Sequence, residues 1–341
     1  HNFFQGMSAF IHGMGLISAQ DTFNQVSVEN VIQHSANKLV CIEPDYTPWI
    51  DAKTMRRMSK IIRMGVAAAK LALQQAKLEK PDSIITGTGL GCLEDTEVFL
   101  NRLINNREEA LNPTPFIQST HNTIGSQIAL LTQCRSYNQT YTQRAFSFEL
   151  ALQDALMMLK ENPTQNILAG SADEVTDLSM KVFDKFGWVT SQIQHGEGAG
   201  FFLLNTESKN AMAELSEVSM LFKPKRASEV ANSIQEMISK AGLDKNDIDL
   251  VLTGECGDLH YDSLLKKVCN EMRFGNRCIP YKKLCGEYST SSAFAVWLAG
   301  TILSVRGMPK PGMLTQKPVR NVLIYNQYFN QHHTLIMLKT C

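Results

Sequence analysis

Apolar and polar positions follow two rhythms along the chain. Short runs of β-branched and small apolar residues read as strands, and longer stretches with apolar residues three and four apart read as helices. Residues 10–18, FIHGMGLIS, predict a strand broken by glycines. Residues 54–77 predict one long helix, because Met58, Ile61, Ile62, Val66 and Ala69 recur at helical spacing among good helix formers. SIITGTGLG (83–91) predicts a strand running into a glycine turn, and DTEVFLNRL after it predicts a helix. A helix is expected at 122–131, a polar but β-prone strand at 136–144, and a helix at 148–160 with Leu152, Ala155, Leu156 and Leu159 on its apolar face. Strands follow at 166–174 and, after a glycine turn, within 196–205. Further on, 228–243 predicts a helix capped by Ser228 and Asn232 in its first turn, and 244–255 an acidic loop with an apolar strand. Helices near 262–272 and at 291–305 precede two closing strands, NVLIYN and HTLIML. Strands separated by helices on this scale predict parallel pairing in an α/β layered fold.

The chain has 341 residues. At about 150 residues per domain this allows two domains or one large duplicated fold. Residues 1–6, HNFFQG, read as an expression scar ahead of Met7, with a first half at 7–206 and a second at 207–341. No low-complexity linker divides the halves, so they are expected to pack as one unit. Hydrophobic residues make up 44% and charged residues 19%, which supplies a core and removes any compositional case for disorder. Lys+Arg and Asp+Glu are both 33, so the chain is neutral. Neutrality gives no bulk attraction to nucleic acid or anionic membrane, and little repulsion to oppose a protein partner. No run of 18 apolar residues is present to span a bilayer. Eight scattered cysteines without CxxC pairs suit reduced thiols in a cytoplasm.

Two weak motifs come next. Gly87, Gly89 and Gly91 give GTGLG after a strand, but the third glycine falls too early for a dinucleotide loop, and no ribose-binding acid is evident near position 110. A tight turn closing over packed neighbours is the expectation. Cys256 and His260 alternate with Asp258 and Asp262, but on a loop entering a helix these groups need not converge as three ligands. Neither a metal nor a cofactor is expected.

Five segments in order carry a more specific signal: MRRMSKIIRMGVAAAKLAL, ITGTGLGCLED, PTPFIQSTHNTIGSQIAL, NILAGSADEV and HGEGAGFFLL. With them the chain resembles β-ketoacyl synthases of the thiolase fold over nearly all of Met7 to Cys341. The resemblance implies two similar halves, each a mixed sheet with helices, in a five-layer αβαβα sandwich. In that family a Cys on a strand-to-helix elbow takes an acyl group from a carrier protein, activated by the helix N-terminus. Two histidines assist decarboxylation of a malonyl group and stabilise the enolate of a Claisen condensation.

Here the alignment puts Ala145 on the Cys position, Gly254 on the first His and Glu287 on the second. A methyl group cannot attack a thioester, and a carboxylate repels an enolate oxygen. Lys283 and Gly286 are the anchors beside Glu287, and Ser147 reads as a helix N-cap. Gln143 reaches the nucleophile position only with a two-residue shift. The closing loop, Tyr325 to His333, lacks the family's glycines. This pattern is similar to chain-length factors, the inactive partners of type II ketosynthases, and above all to those of aryl-polyene and flexirubin-type pigment clusters. Many of these carry Gln at the Cys position, a departure from Ala145.

The resemblance therefore implies a heterodimer with an active β-ketoacyl synthase, with an acyl carrier protein as a candidate second partner whose contact with this subunit is left open. Gln143, Arg144, Phe146 and Phe148 are candidates for the interface or tunnel, and 136–144 for the strand that meets the partner. His121 is expected in a structural hydrogen bond, and the pair His332-His333 at a solvated or interface site. Two rival readings stay open. One is an acyltransferase or thioesterase-like enzyme using Cys256, Cys285 or Glu287; the other is a stand-alone acyl-chain binding protein.

Overall fold

The structure is a computed structural model and describes residues 9–23, 31–109, 112–304 and 318–341. The expression scar at 1–6 lies outside the described residues. In chain order the first elements are β1 (Ala9–Ile17), α1 (Ala52–Met55), α2 (Lys60–Gln75), β2 (Ser83–Gly87), α3 (Leu93–Asn105), α4 (Pro113–Ser119), α5 (Thr123–Thr132) and β3 (Asn138–Tyr141). A 3-10 turn at Arg144–Phe146 leads into α6 (Ser147–Glu161), then β4 (Ile167–Asp173), α7 (Asp177–Lys185) and β5 (Gly198–Asn205). The remainder is β6 (Ala213–Phe222), α8 (Ala227–Lys240), β7 (Leu250–Thr253), α9 (Leu259–Glu271), β8 (Cys278–Pro280), α10 (Lys282–Cys285), α11 (Ser292–Ser304), β9 (Asn321–Tyr328) and β10 (His332–Lys339).

Among the described residues, ten strands form one sheet in the order β3-β2-β4-β5-β1-β6-β10-β9-β7-β8. The pairing is mixed, where simple strand–helix alternation predicted parallel strands. From its outer edge inward, each run of five has three parallel strands and then two antiparallel ones: β3, β2, β4 before β5 and β1, and β8, β7, β9 before β10 and β6. The second run repeats the first. They meet where Ala9–Ile11 of β1 pairs with Ala213–Leu215 of β6.

Helices cover both faces and fill the middle. α2 and α5 pack outside the first run, around Ile61, Ile62, Met64, Ile124 and Phe201. α8 and α9 pack outside the second, around Val230, Ile234, Leu265 and Val268. Between the runs lie α6 and α11, with Phe148, Leu152, Ala155, Phe294, Trp297 and Leu298 in the central core. α11 is buried on every side, which explains a sequence, SAFAVWLAGTILS, with almost no polar face. The order is helix, sheet, helix, sheet, helix.

The sequence expectation for the helices needs amending at three places, and the central strand β6 was not expected. The helix expected at 54–77 is split: Asp51 caps α1 by accepting from the N–H groups of Lys53 and Thr54, and the chain resets at Ser59 before α2. α8 begins after Arg226 with no side-chain cap, so Ser228 and Asn232 lie inside the helix rather than capping it. α4 and α7 were not anticipated. α7 is held by a capping box between Thr176 and Ser179.

Candidate functional site

The site lies where the β3–α6 elbow, the end of β7, the α10 turn and the β9–β10 hairpin meet. Arg144 adopts φ +49 at the elbow, a left-handed conformation unusual for a residue with a Cβ. The Ser147 hydroxyl accepts from the Gln143 N–H at 2.8 Å and donates to the Thr88 carbonyl at 2.9 Å. Ser147 is therefore a buried tie between the elbow and the GTGLG turn. Gly87 allows this contact, since a Cβ there would lie 2.5 Å from the Ser147 backbone.

Ala145 is wholly buried, packed with Ile193, Cys256, Tyr328 and Phe329. Gln143 and Arg144 are exposed, and the Arg144 guanidinium lies 6.0 Å from the Trp188 ring centre. Phe146 is half-buried against His332, with ring centres 4.7 Å apart. Phe148, grouped with these as an interface or tunnel candidate, is instead core: it is 0% exposed and its ring lies 5.6 Å from that of Phe202. As the second residue of α6, it turns its side chain to the central core against Phe202 of β5 rather than to the elbow.

Gly254 directly follows β7 and lies against Asn326. A Cβ at 254 would lie 2.3 Å from the Asn326 Oδ1 and 2.9 Å from the Asn326 Cα. The neighbouring hairpin thus occupies the space a side chain at 254 would need. Asn326 is itself held by the Tyr281 hydroxyl, which donates to its Oδ1 at 2.9 Å.

Glu287 is buried in a two-pronged ion pair with Lys282, whose Nζ lies 2.8 and 2.9 Å from the two carboxylate oxygens. The same ammonium donates to the Gln327 carbonyl. Burial pushes the Glu287 carboxyl up to about 7, against the opposing pull of Lys282. The lysine in the site is Lys282; Lys283, expected as the anchor, points to solvent. The short helix α10 turns one lysine in and its neighbour out.

Behind this pair Asp262 organises the loop after β7. It accepts from the N–H groups of Cys256 and Gly257, both at 2.9 Å, and from Gln327 Nε2 at 2.9 Å. Asp258 caps α9 through the His260 N–H. These two acids, which with Cys256 and His260 formed the candidate ligand cluster, are thus engaged by backbone and amide groups. His260 is exposed.

Neither candidate thiol is set up as a nucleophile. Burial pushes Cys256 up to about 12, and pushes the fully buried Cys285 up further. Cys256 lies against Asp262, and Cys285 against the Tyr281 and Gly286 carbonyls.

The space among these groups is small. A cavity of about 20 Å³ is bordered by Asp173, Glu174, His195, Glu287, Ser289 and Tyr328, which is room for about one water. Trp188 and Phe329 stack beside it with centres 5.0 Å apart, and Tyr261 meets Phe329 edge-on. The β9–β10 turn is made by Phe329 and Asn330, both at positive φ, so the hairpin closes without glycine. His332 and His333, expected at a solvated or interface site, are buried instead, because β10 is an inner strand between β6 and β9. Burial holds both imidazoles down near 4.

The GTGLG turn is a packing device. The Asp173 carboxylate accepts from the Gly89 N–H at 2.8 Å and the Leu90 N–H at 3.3 Å, donors a phosphate would need. It also accepts from Thr88 and Thr290, joining this turn to the start of α11. Gly89 abuts Ser289, and Gly91 faces the His121 ring. In GEGAG, Glu197 pairs with Lys60 and accepts from the N–H groups of Cys41 and Val175. Sequence reasoning missed Lys282, Asn326 and Trp188, and named Asp262 only as one acid of a loop cluster. Only the Lys-Lys doublet before Gly286 carried a usable signal.

Comparison with known proteins agrees with this architecture. Residues 32–241 match the family model described as the N-terminal domain of β-ketoacyl synthase. No curated protein matches the sequence. Among solved structures, the ishigamide ketosynthase/chain length factor superposes with a TM-score of 0.82 at 18% identity, covering 98% of this chain and 99% of that one. A ketosynthase, ApeO, in complex with its chain length factor, ApeC, from Xenorhabdus doucetiae matches with a TM-score of 0.79 at 16% identity, covering 100% and 99%. A β-ketoacyl synthase from Burkholderia phymatum STM815 matches at 0.75 and 16%, covering 98% and 100%. The fold is the thiolase fold of the ketosynthases, and the chain belongs to the β-ketoacyl synthase family.

Proposed function

We propose that this protein is a ketosynthase-like subunit without condensing activity of its own, acting as a chain-length factor beside an active β-ketoacyl synthase. One observation carries the reading: Ala145, whose methyl group cannot attack a thioester, stands buried at the elbow, and the one thiol in its cluster, Cys256, is held against Asp262. The positions aligned with the two histidines support it, since the place beside Gly254 is taken by Asn326 and Glu287 is locked to Lys282. The cavity that Glu287 borders, about 20 Å³, is too small for an acyl chain.

Pairing is supported by the surface around the elbow. β3 is the outermost strand of the sheet, so one of its edges lacks a neighbouring strand among the described residues. Beside it, α3, α4 and α5 expose Leu100, Ile104, Phe116, Ile117 and Leu130. An apolar surface flanking an open strand edge suits a protein partner that extends the sheet. The subunit would close one end of the acyl tunnel, with Gln143, Arg144 and Phe146 nearest the junction, and set product length by volume. A type II pathway to an aryl polyene or flexirubin-type pigment is the setting proposed, with the acyl carrier protein delivering substrate to the complex. The rival thiol chemistry is disfavoured by the burial of Cys256 and Cys285.

Co-expression with a β-ketoacyl synthase that retains its Cys and two His tests the reading. Native mass spectrometry is expected to show a mixed dimer. The chain alone is expected to give no condensation of malonyl- and acyl-carrier protein. Turnover by the purified chain, or failure to pair with any such synthase, overturns it.

A further inference from the structure

The eight thiols are not alike. Cys41, Cys92, Cys256 and Cys285 are deeply buried and pushed up by that burial. Cys278 is partly exposed and sits at the open end of the fold's second outer layer, as the first residue of β8, the outermost strand on that side. It pairs in parallel with Val251, so the two side chains project from the same face of the sheet. That face is covered by α9: Val251 is buried with Val268 and Cys269, and Cys278 packs against the same cluster. The turn from α9 to β8 folds back on itself, with the Phe274 N–H donating to the Cys269 carbonyl at 3.1 Å and Arg273 and Gly275 at positive φ. The two thiols thus share one cluster between α9 and the sheet, close enough for each to shift the other's ionisation. That closeness, aided by the Arg277 guanidinium next in sequence, draws Cys278 below the ordinary thiol range while Cys269 is pushed up.

We propose that Cys269 and Cys278 form a redox-active thiol pair, Cys278 attacking and Cys269 resolving, which small disulfides close to an intramolecular disulfide. A partly exposed thiol that ionises readily, with a second thiol in reach, is the arrangement of a redox-sensing pair. The Cys278 thiolate attacks one sulfur of a glutathione disulfide, breaking its S–S bond and releasing one glutathione thiolate. That thiolate takes the proton of Cys269. The Cys269 sulfur then attacks the Cys278 sulfur of the mixed disulfide, forming the internal S–S bond and expelling the second glutathione. Both protein thiols are oxidised, and one glutathione disulfide is reduced to two glutathiones. The bond would fasten the end of α9 to the sheet edge. The first turn of the same helix carries Asp262, which holds the loop of Cys256 and Gly257 at the site.

Oxidised glutathione followed by iodoacetamide alkylation and peptide mapping tests this on the intact chain. The expected product has lost two hydrogen atoms, carries a Cys269–Cys278 cross-linked peptide and leaves both residues unalkylated. In Cys269→Ser, Cys278 is expected to stop at the glutathione adduct. In Cys278→Ser, Cys269 is expected to stay a free thiol. Wild-type protein with both residues still alkylated, or Cys269→Ser with Cys278 free of adduct, overturns the proposal. A Cys341→Ser background keeps the exposed terminal thiol from forming cross-links between chains.

Discussion

Lys282 and Glu287 show how much of the site depends on single residues. Each is almost wholly buried, and the ammonium has three acceptors, two from Glu287 and one from the Gln327 carbonyl. Removing one partner of such a pair strands the other charge. Lys282→Ala is expected to destabilise the fold by about 3–5 kcal/mol, while Lys282→Met with Glu287→Leu should come within about 1–2 kcal/mol of wild type. Urea unfolding midpoints of the three proteins check this, and equal losses in both variants would contradict it. At this scale the sequence was partly legible. Gly286 and a preceding lysine located Glu287, but which of two adjacent lysines turns inward depends on α10. Asp262 was read as one of several loop acids, because its partner Gln327 lies 65 residues away and nothing local announces it. Asn326 acts as a filler of the space beside Gly254 only once β7 and β9 are paired.

Helix α2 packs backbone to backbone against strand β1. Gly13 and Gly15 face the helix, and a Cβ at either would come within 2.0 and 1.9 Å of the Ala72 and Ala68 carbonyl oxygens. Here the obstacle is backbone, which cannot swing aside as a side chain can. Gly15→Ala is therefore expected to lift α2 off the sheet and cost about 3 kcal/mol, the upper end of overpacking losses. Gly242→Ala, at a positive φ with open space around it, supplies a control whose loss arises from backbone strain alone. A Gly15→Ala loss no larger than the control's would refute the packing argument. The long helices and the inner strands β1, β5, β9 and β10 were readable from their patterns, whereas the inner strand β6 was not anticipated. The break before Ser59 was not, because Met58 and Ile61 keep the apolar rhythm going across it. α7 was missed for the opposite reason: Leu178, Val182 and Phe186 make a helical stripe, yet all three face outward.

The molecule as a whole is a duplicated architecture whose two runs of strands share the same parallel and antiparallel pattern. Composition could indicate only that a core was affordable in size and that charge would not oppose association. The layering entered through resemblance, and the mixed pairing became visible only in the ladder. Association is where the surface speaks. Phe116→Glu with Ile104→Glu, both on exposed positions, is expected to leave the melting temperature within a few degrees of wild type and to abolish the mixed dimer in native mass spectrometry. An undiminished mixed dimer would place the contact elsewhere. The short ladder between β1 and β6 has a further effect. A gene divided between them would yield two fragments, each ending in a raw strand margin and each exposing its half of the α6–α11 filling. Neither would be a self-sufficient protein, and the two would regain solubility only by complementation in the same cell.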